Sequence, residues 1–165
     1  MPSDADLLAI ARDLAVEAGA LAVRRRREGV SVAATKSSPV DVVTETDREV
    51  EAFIRARLAE LRPGDGFFGE ESDAAESRSG LTWVVDPIDG TVNFLYDIPA
   101  WAVSIGVVEG APDPATWTAI AGCVVNPVLG EVFTAVRGQG AFLGDERIQV
   151  SGATDLALSL VGTGF

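Results

Sequence analysis

Histidine is absent from the 165-residue chain, and cysteine occurs once. Without histidine, neither a Ser-His-Asp triad nor a Cys-His pair can form within the chain, and a phosphohistidine intermediate is excluded. The common histidine-rich zinc sites are excluded for the same reason. The single cysteine, Cys123, cannot form an internal disulfide, and its apolar surroundings (residues 120–125) are typical of a core position. Any chemistry in the chain therefore depends on carboxylates, hydroxyl groups, lysine or a bound metal ion.

Positive charge is scarce, since 13 lysines and arginines stand against 25 aspartates and glutamates, giving a formal net charge of −12. This balance argues against nucleic-acid binding, because a phosphate backbone would be repelled, and it suits a site that collects divalent cations. No apolar run is long enough to cross a bilayer, and the polar, acidic start does not resemble a signal peptide. We therefore expect a cytoplasmic protein with no membrane partner.

The hydrophobic fraction of 47% is sufficient for one domain with its own core. Apolar residues at helical spacing predict a first helix over residues 4–28, followed by a loop or irregular hairpin over 30–45. A second helix is predicted over 46–61, with Thr46 and Glu49 as its capping box. Short apolar segments separated by turn residues then predict successive strands. Helices followed by an antiparallel meander predict an α+β domain, with two N-terminal helices packed on a largely antiparallel sheet.

The main candidate for chemistry follows an apolar strand that we expect to end at residue 85. It reads Asp86-Pro87-Ile88-Asp89-Gly90-Thr91. Around one bend, Asp86 and Asp89 can converge on a hard cation such as Mg²⁺, and the carbonyl of Ile88 can add a further oxygen ligand. Gly90 lets the backbone approach a bound group, and Thr91 can open a helix whose free amides bind phosphate. A capped turn explains the same residue types, and the segment alone supports both interpretations equally.

Three further stretches carry suitable residues, although each has a structural explanation. Glu70 follows a predicted strand in the sequence Gly-Glu-Glu-Ser, where acidic residues usually face solvent. Asp47 lies in the first turn of the second helix, where a carboxylate stabilises the helix dipole. Lys36 lies in a serine-rich loop, where its side chain would be solvated. None of the three indicates a function by itself.

Taken together and in this order, the stretches closely resemble the inositol monophosphatase family. The matching segments are residues 36–44, 46–47, 69–72 and 83–94, and residues 102–106 and 137–142 look like a later strand and turn of the family. The resemblance covers nearly the whole chain, and the combination is far more specific than any single piece.

The resemblance implies Mg²⁺-dependent hydrolysis of a phosphate monoester, such as myo-inositol 1-phosphate, by a metal-activated water. It also implies inhibition by lithium, a small phosphorylated substrate as partner and a homodimer. It implies that Glu70, Asp86 and the carbonyl of Ile88 hold the activating metal and that Asp86 and Asp89 share a second metal. The substrate-binding residues that it implies are Asp89, Gly90, Thr91 and Lys36. Thr91, assisted by Asp47, would orient the attacking water, and Glu70 would help to place a further ion.

The resemblance further implies that residues 1–165 form the N-terminal α+β domain, which is the first half of a layered αβαβα fold. The absent C-terminal α/β portion would carry a Trp-Asp motif whose aspartate completes the second metal site, and apolar surface would be exposed where that portion packs.

Two alternatives stay open at this point. One is a related phosphatase of the superfamily, namely a fructose bisphosphatase, bisphosphate nucleotidase or histidinol-phosphate phosphatase. The other is a truncated, non-catalytic binding or regulatory module. A haloacid-dehalogenase-type phosphatase is disfavoured, because one residue separates the two aspartates of its loop, whereas two separate Asp86 from Asp89.

Overall fold

The computed structural model describes residues 2–30, 32–35, 42–110, 113 and 115–161. Its elements, in chain order, are α1 (Asp4–Glu28), β1 (Val32–Thr35), β2 (Val42–Thr44), α2 (Glu45–Leu61), β3 (Gly66–Gly69), β4 (Leu81–Asp89), α3 (Thr91–Leu95), β5 (Ala102–Glu109), β6 (Thr118–Asn126), β7 (Glu131–Val136), β8 (Gly140–Leu143), β9 (Glu146–Ile148) and a 3₁₀ turn (Leu156–Leu158). The predicted order of helices followed by strands is confirmed. Within the part of the chain that the structure describes, no helix has the length and apolar character needed to span a membrane.

Helix α1 begins at a capping box and lies close to the sheet. The Asp6 amide donates to Ser3 Oγ over 3.2 Å, and the Ser3 amide donates to the Asp6 carboxylate over 2.9 Å. Its buried stripe is made largely of small residues, as at Ala11 and Ala18. At Gly19 an added β-carbon would lie 3.0 Å from Pro127 Cβ, so the glycine permits this close approach.

Helix α2 begins at Glu45, and its cap is not the predicted one. Thr44 is the N-cap, and its amide donates to Asp47 Oδ2 over 3.0 Å. The prediction that Thr46 and Glu49 form the capping box was wrong, because Thr44 ends β2 in the extended backbone conformation that an N-cap requires. Glu49 instead pairs with Arg25 of α1 over 2.6 Å, which joins the two helices.

Strands β3 to β9 form a seven-stranded sheet in chain order. Strand β3 runs parallel to β4, and every other neighbouring pair in this sheet is antiparallel. The prediction of a largely antiparallel sheet is therefore confirmed. Strands β1 and β2 form a separate antiparallel pair, which agrees with the irregular hairpin predicted for this stretch.

Helices α1 and α2 pack on one face of this sheet. Along β5, Val103, Ile105 and Val107 are buried, whereas Ser104 and Gly106 between them are partly exposed. This alternation assigns the buried set to the helices and the other set to the opposite face, which we call the open face.

The open face carries apolar side chains that are partly exposed. Val124, which pairs with Ser104 of β5, is 37% exposed, and Phe133 beside it is partly exposed. Cys123, its neighbour in β6, is buried on the other side, as predicted, and burial raises the pKa of its thiol to about 11.

Candidate active site

The register between β3 and β4 brings the first two candidate residues together. The strands are parallel, with Gly69 opposite Val85. Glu70 therefore leaves β3 at the level where β4 reaches Asp86. The two carboxyl groups are close enough to share a hydrogen bond and to repel each other when both are charged. Two residues that lie 16 positions apart in the sequence thus meet because of a non-local strand pairing.

A bulge in β4 brings in the second aspartate. In a regular strand, side chains three positions apart point to opposite faces. The pairing of β4 with β5 shifts between Asp86, opposite Ser104, and Asp89, opposite Ala102, so that three positions along β4 correspond to two along β5. Because of this extra residue, the two carboxylates point to the same side of the sheet.

The prediction of where β4 ends was wrong. The strand does not end at residue 85 but continues to Asp89. Pro87 lies within the bulge, where its missing amide proton costs no regular ladder hydrogen bond.

The surroundings of Asp86 disfavour its charged form. Burial, the charge and hydrogen bond of Glu70, and the charge of Asp89 together raise the pKa of Asp86 to about 8. The Ile88 amide, which donates to Asp86 Oδ1 over 3.2 Å, opposes this shift. A cation placed among the three carboxylates would remove the repulsion, and Mg²⁺ prefers such oxygen ligands.

The carboxylates do not form a complete metal site by themselves. Across the described ranges, no group of three or more acidic or thiol side chains is compact enough to hold a metal ion. Mg²⁺ usually retains several waters and takes only one or two carboxylates together with substrate phosphate oxygens. The residues present therefore fit a magnesium site that is completed by water, carbonyl and phosphate oxygens.

A second cluster lies at the start of α3. Thr91 Oγ1 is 3.1 Å from Asp47 Oδ1 and 3.0 Å from the Ile88 carbonyl oxygen, so its proton can be donated to either. Asp47 is only 1% exposed, and burial raises the pKa of its carboxyl group despite the hydrogen bonds from Thr44 and Thr91. A hydroxyl group that donates to a fixed carboxylate turns its lone pairs toward other donors, such as a water molecule.

Gly90 makes the turn between the strand and α3 possible. Its backbone is left-handed, with φ 91° and ψ 42°, and an added β-carbon would lie 3.0 Å from the Ala100 carbonyl oxygen. Helix α3 begins at Thr91, as predicted, and Phe94 anchors it by packing edge-on against Trp101 at 4.9 Å between ring centroids. The first amides of α3 lack partners within the helix by geometry and are available to a bound anion.

A groove of about 390 Å³ opens on the open face beside Asp86. Glu70 and Asp86 lie at one end, and Gly106, Val108 and Trp117 line the remainder. The carboxylate pair is therefore accessible from the open face of the sheet.

The structure thus collects most of the predicted site residues within one region. Glu70, Asp86 and Asp89 form the acidic cluster, and Asp47, Ile88 and Thr91 form the cluster beside it. Lys36 lies outside the described residues. The ligand-binding and catalytic roles assigned to these residues stay predictions.

Sequence reasoning missed one residue of this region, Glu51. It lies one turn after Asp47 on α2, is 2% exposed, and accepts a hydrogen bond from the Glu71 amide over 2.7 Å. A signal was available, because Glu51 follows Asp47 by four positions and precedes Ile54 by three, which places it on the buried side of the helix.

The model of the inositol monophosphatase family matches residues 3–165. The chain belongs to the inositol monophosphatase family. A curated member, the inositol-1-monophosphatase SuhB of Mycobacterium tuberculosis, is 43% identical over an alignment of 179 positions. The alignment covers 98% of this chain and 60% of that protein. The chain therefore spans about three fifths of the length of this relative.

Solved structures of similar proteins share the fold. The extragenic suppressor protein suhB of Bartonella henselae superposes with a TM-score of 0.79 at 36% identity, over 90% of this chain and 55% of that protein. The Thermotoga maritima IMPase superposes with a TM-score of 0.78 at 31% identity, over 89% of this chain and 54% of that protein. The family resemblance and the layered α+β fold expected from the sequence are thereby confirmed.

Proposed function

We propose that this chain supplies the metal- and phosphate-binding part of a Mg²⁺-dependent phosphomonoesterase that acts on an inositol monophosphate. The observation that carries the proposal is the pairing of β3 with β4, which sets Glu70 beside Asp86, together with the bulge that adds Asp89. The relative from Mycobacterium tuberculosis, named an inositol-1-monophosphatase, supports the choice of substrate class. Inhibition by lithium, a homodimer and a cytoplasmic location are part of the same proposal.

In this proposal Glu70, Asp86 and the carbonyl of Ile88 would hold one magnesium ion, and Asp86 and Asp89 would share a second. When bound, Mg²⁺ would lower the pKa of the attacking water and neutralise charge on the phosphate and the leaving oxygen. Burial and the charges of Glu70 and Asp89 raise the pKa of Asp86 to about 8, and a bound divalent cation would offset the repulsion among these carboxylates.

The remaining residues orient the reactants. The amides of Gly90 and Thr91, at the start of α3, hold phosphate oxygens, and Lys36 adds positive charge. Thr91 Oγ1, fixed by Asp47 at 3.1 Å, accepts a hydrogen bond from the attacking water and aims its oxygen at phosphorus. The phosphorus–ester oxygen bond then breaks, and the alcohol departs with a proton that originates from the water.

The test is Mg²⁺-dependent phosphate release from myo-inositol 1-phosphate by the complete gene product, with and without lithium. The Asp86→Asn variant is expected to lose about 100-fold or more in kcat/KM, because one anionic ligand is removed. The exposed Asp145 in the turn between β8 and β9 provides a matched control, and Asp145→Asn should retain full activity.

Each contrary result has a distinct meaning. Full activity in Asp86→Asn would show that the metal assignment is wrong. Faster turnover of fructose 1,6-bisphosphate, adenosine 3′,5′-bisphosphate or histidinol phosphate would identify one of the related phosphatases instead. No phosphate release from any of these substrates would favour the non-catalytic module.

A further inference from the structure

A buried carboxylate on α2 contacts the segment that carries Glu70. Glu51 lies between the cap of α2 and its apolar stripe, and it is 2% exposed. Its Oε2 accepts a hydrogen bond of 2.7 Å from the Glu71 amide, at the residue directly after Glu70. A carboxylate bound to a backbone amide forms a stronger hydrogen bond than a neutral acceptor does, and burial protects that bond from competing water.

The end of β3 is shaped to receive this carboxylate. A β-carbon added to Gly69 would lie 2.5 Å from Glu51 Cδ and 2.7 Å from Phe67 Cε1. Gly69 does not have a positive φ, so its lack of a side chain is explained by space and not by backbone strain. Glu51 therefore contacts the segment on both sides of Glu70, at Gly69 and at Glu71.

Helix α2 connects the two clusters of the candidate site through adjacent turns. Asp47 contacts Thr91 at the start of α3, and Glu51, four residues later, contacts Glu71 after β3. Residues at this spacing lie on the same side of a helix. One rigid element thus fixes the positions of two segments that are far apart in the sequence.

On the basis of the proposed function, we infer that Glu51 is a positioning residue that holds residues 69–71 so that Glu70 faces Asp86 and the cation. Its action goes through the Glu71 amide, and it does not contact the cation or the substrate. Without this hydrogen bond, Glu70 would no longer be held at the position beside Asp86 that the pairing of β3 with β4 establishes. Partners of metal ligands commonly change metal affinity by about 10- to 100-fold when they are removed.

The first test compares Mg²⁺ affinity in Glu51→Ala and Glu51→Gln of the complete protein, measured by calorimetry without substrate. Glu51→Ala should weaken Mg²⁺ binding by about tenfold or more, whereas Glu51→Gln, whose amide oxygen still accepts a hydrogen bond, should stay within about threefold of wild type. Hydrogen exchange at the Glu71 amide should accelerate in the alanine variant only. Glu60→Ala, on the exposed side of α2, is the control and should change neither quantity.

The second test uses the close fit at Gly69. Gly69→Ala should weaken Mg²⁺ binding in the wild-type background, because the new methyl group displaces the Glu51 carboxylate. In a Glu51→Ala background the same change should weaken Mg²⁺ binding less than it does in the wild type, since the carboxylate is gone and only the contact with the Phe67 ring remains. If Glu51→Ala folds poorly, Gly69→Ala and Glu51→Gln are instead each compared directly with the wild type: Gly69→Ala should weaken Mg²⁺ binding and Glu51→Gln should not.

The outcomes separate this inference from the proposed function. Wild-type Mg²⁺ affinity and amide protection in Glu51→Ala would overturn the role of Glu51 while leaving the phosphatase proposal intact. A glutamine variant as impaired as the alanine variant would also overturn it, because charge and not the hydrogen bond would then matter. If the wild-type protein binds Mg²⁺ but releases no phosphate, the proposed function fails, and the exchange rate of the Glu71 amide still decides the role of Glu51.

Discussion

Asp65 joins three parts of the chain through one buried carboxylate, and its side chain is 2% exposed. Three residues donate four hydrogen bonds to it: Arg62 through Nε at 2.8 Å and Nη2 at 3.0 Å, Ser79 through Oγ at 2.7 Å and Trp83 through Nε1 at 2.9 Å. Burial opposes ionisation, but these three donors outweigh it, so the pKa of Asp65 lies below its ordinary value. The end of α2, the loop before β4 and β4 itself are thereby connected.

Asp65→Asn should lower the free energy of unfolding by about 2 kcal/mol at pH 7, because an amide has one acceptor oxygen and cannot accept all four hydrogen bonds. A depressed folded-state pKa gives stability that is fully present above the unfolded value of about 4 and is lost as pH falls through the folded value. The difference between the variant and the wild type should therefore shrink at low pH. Urea unfolding at pH 7 and at lower pH values measures both quantities, with Asp145→Asn as control. Equal stability of variant and wild type at pH 7 would contradict the prediction.

At the scale of elements, the turn from β4 into α3 depends on Gly90. Replacing it with alanine adds left-handed strain of about 1–2 kcal/mol and places a methyl group 3.0 Å from the Ala100 carbonyl oxygen. We expect Gly90→Ala to lose stability and also to lose phosphate release by about tenfold or more, because Thr91 shifts away from Asp47.

Gly80→Ala is the matched control for this change. Gly80 has a similar φ of 87°, but nothing lies within 4 Å of an added β-carbon. The Gly80→Ala variant should have a lower melting temperature because of the backbone strain, but its kcat/KM should not change. If the two alanine variants were equally active, the close contact at Gly90 would have no functional importance.

The elements themselves were largely predictable, because their signals are local. The stripe of α1 and the turn glycines of the later strands lie within short windows of sequence. The cap of α2 was misplaced, since Thr44 and Thr46 both fit a capping pattern and only the end of β2 decides between them. The continuation of β4 past Pro87 was missed because a bulge depends on the partner strand.

The candidate site was predictable in its residues but not in its contacts. Residue types and the family resemblance identify Glu70, Asp86 and Asp89. Their proximity depends on the parallel pairing of β3 with β4, which no local pattern encodes. Glu51 was missed because an acidic residue on a helix is normally solvated, and its burial follows from how α2 packs.

For the molecule as a whole, the acidic cluster opposes folding when no cation is bound. The net charge is already −12, and burial together with the carboxylates of Glu70 and Asp89 raises the pKa of Asp86 to about 8. A cation that binds only the folded state adds stability that grows with its concentration. The melting temperature should therefore rise with added Mg²⁺ and fall when a chelator removes it.

The Asp86→Asn variant should separate the cost of the acidic cluster without a cation from the stabilisation that bound Mg²⁺ provides. In the presence of a chelator at pH 7 it should raise the free energy of unfolding by about 1 kcal/mol or more, because the buried carboxyl group, whose pKa is raised to about 8, no longer has to take up a proton on folding. With Mg²⁺ it should show little of the stabilisation that the wild type gains. Calorimetric melting with and without Mg²⁺ measures both, and a variant that is less stable than the wild type without metal would refute this account of the cluster.

The bulge in β4 has a consequence for how the length of this segment can vary. With the bulge kept, deleting one residue between Asp86 and Asp89 would place the second carboxylate opposite Val103, on the face that packs against the helices. Inserting one residue would turn the second carboxylate toward the helices. The number of residues between the two aspartates is thus constrained, and not only their identity, because the number decides which face of the sheet each side chain takes. Insertions and deletions should therefore be rarer here than in the loop between β3 and β4, where no alternation has to be preserved.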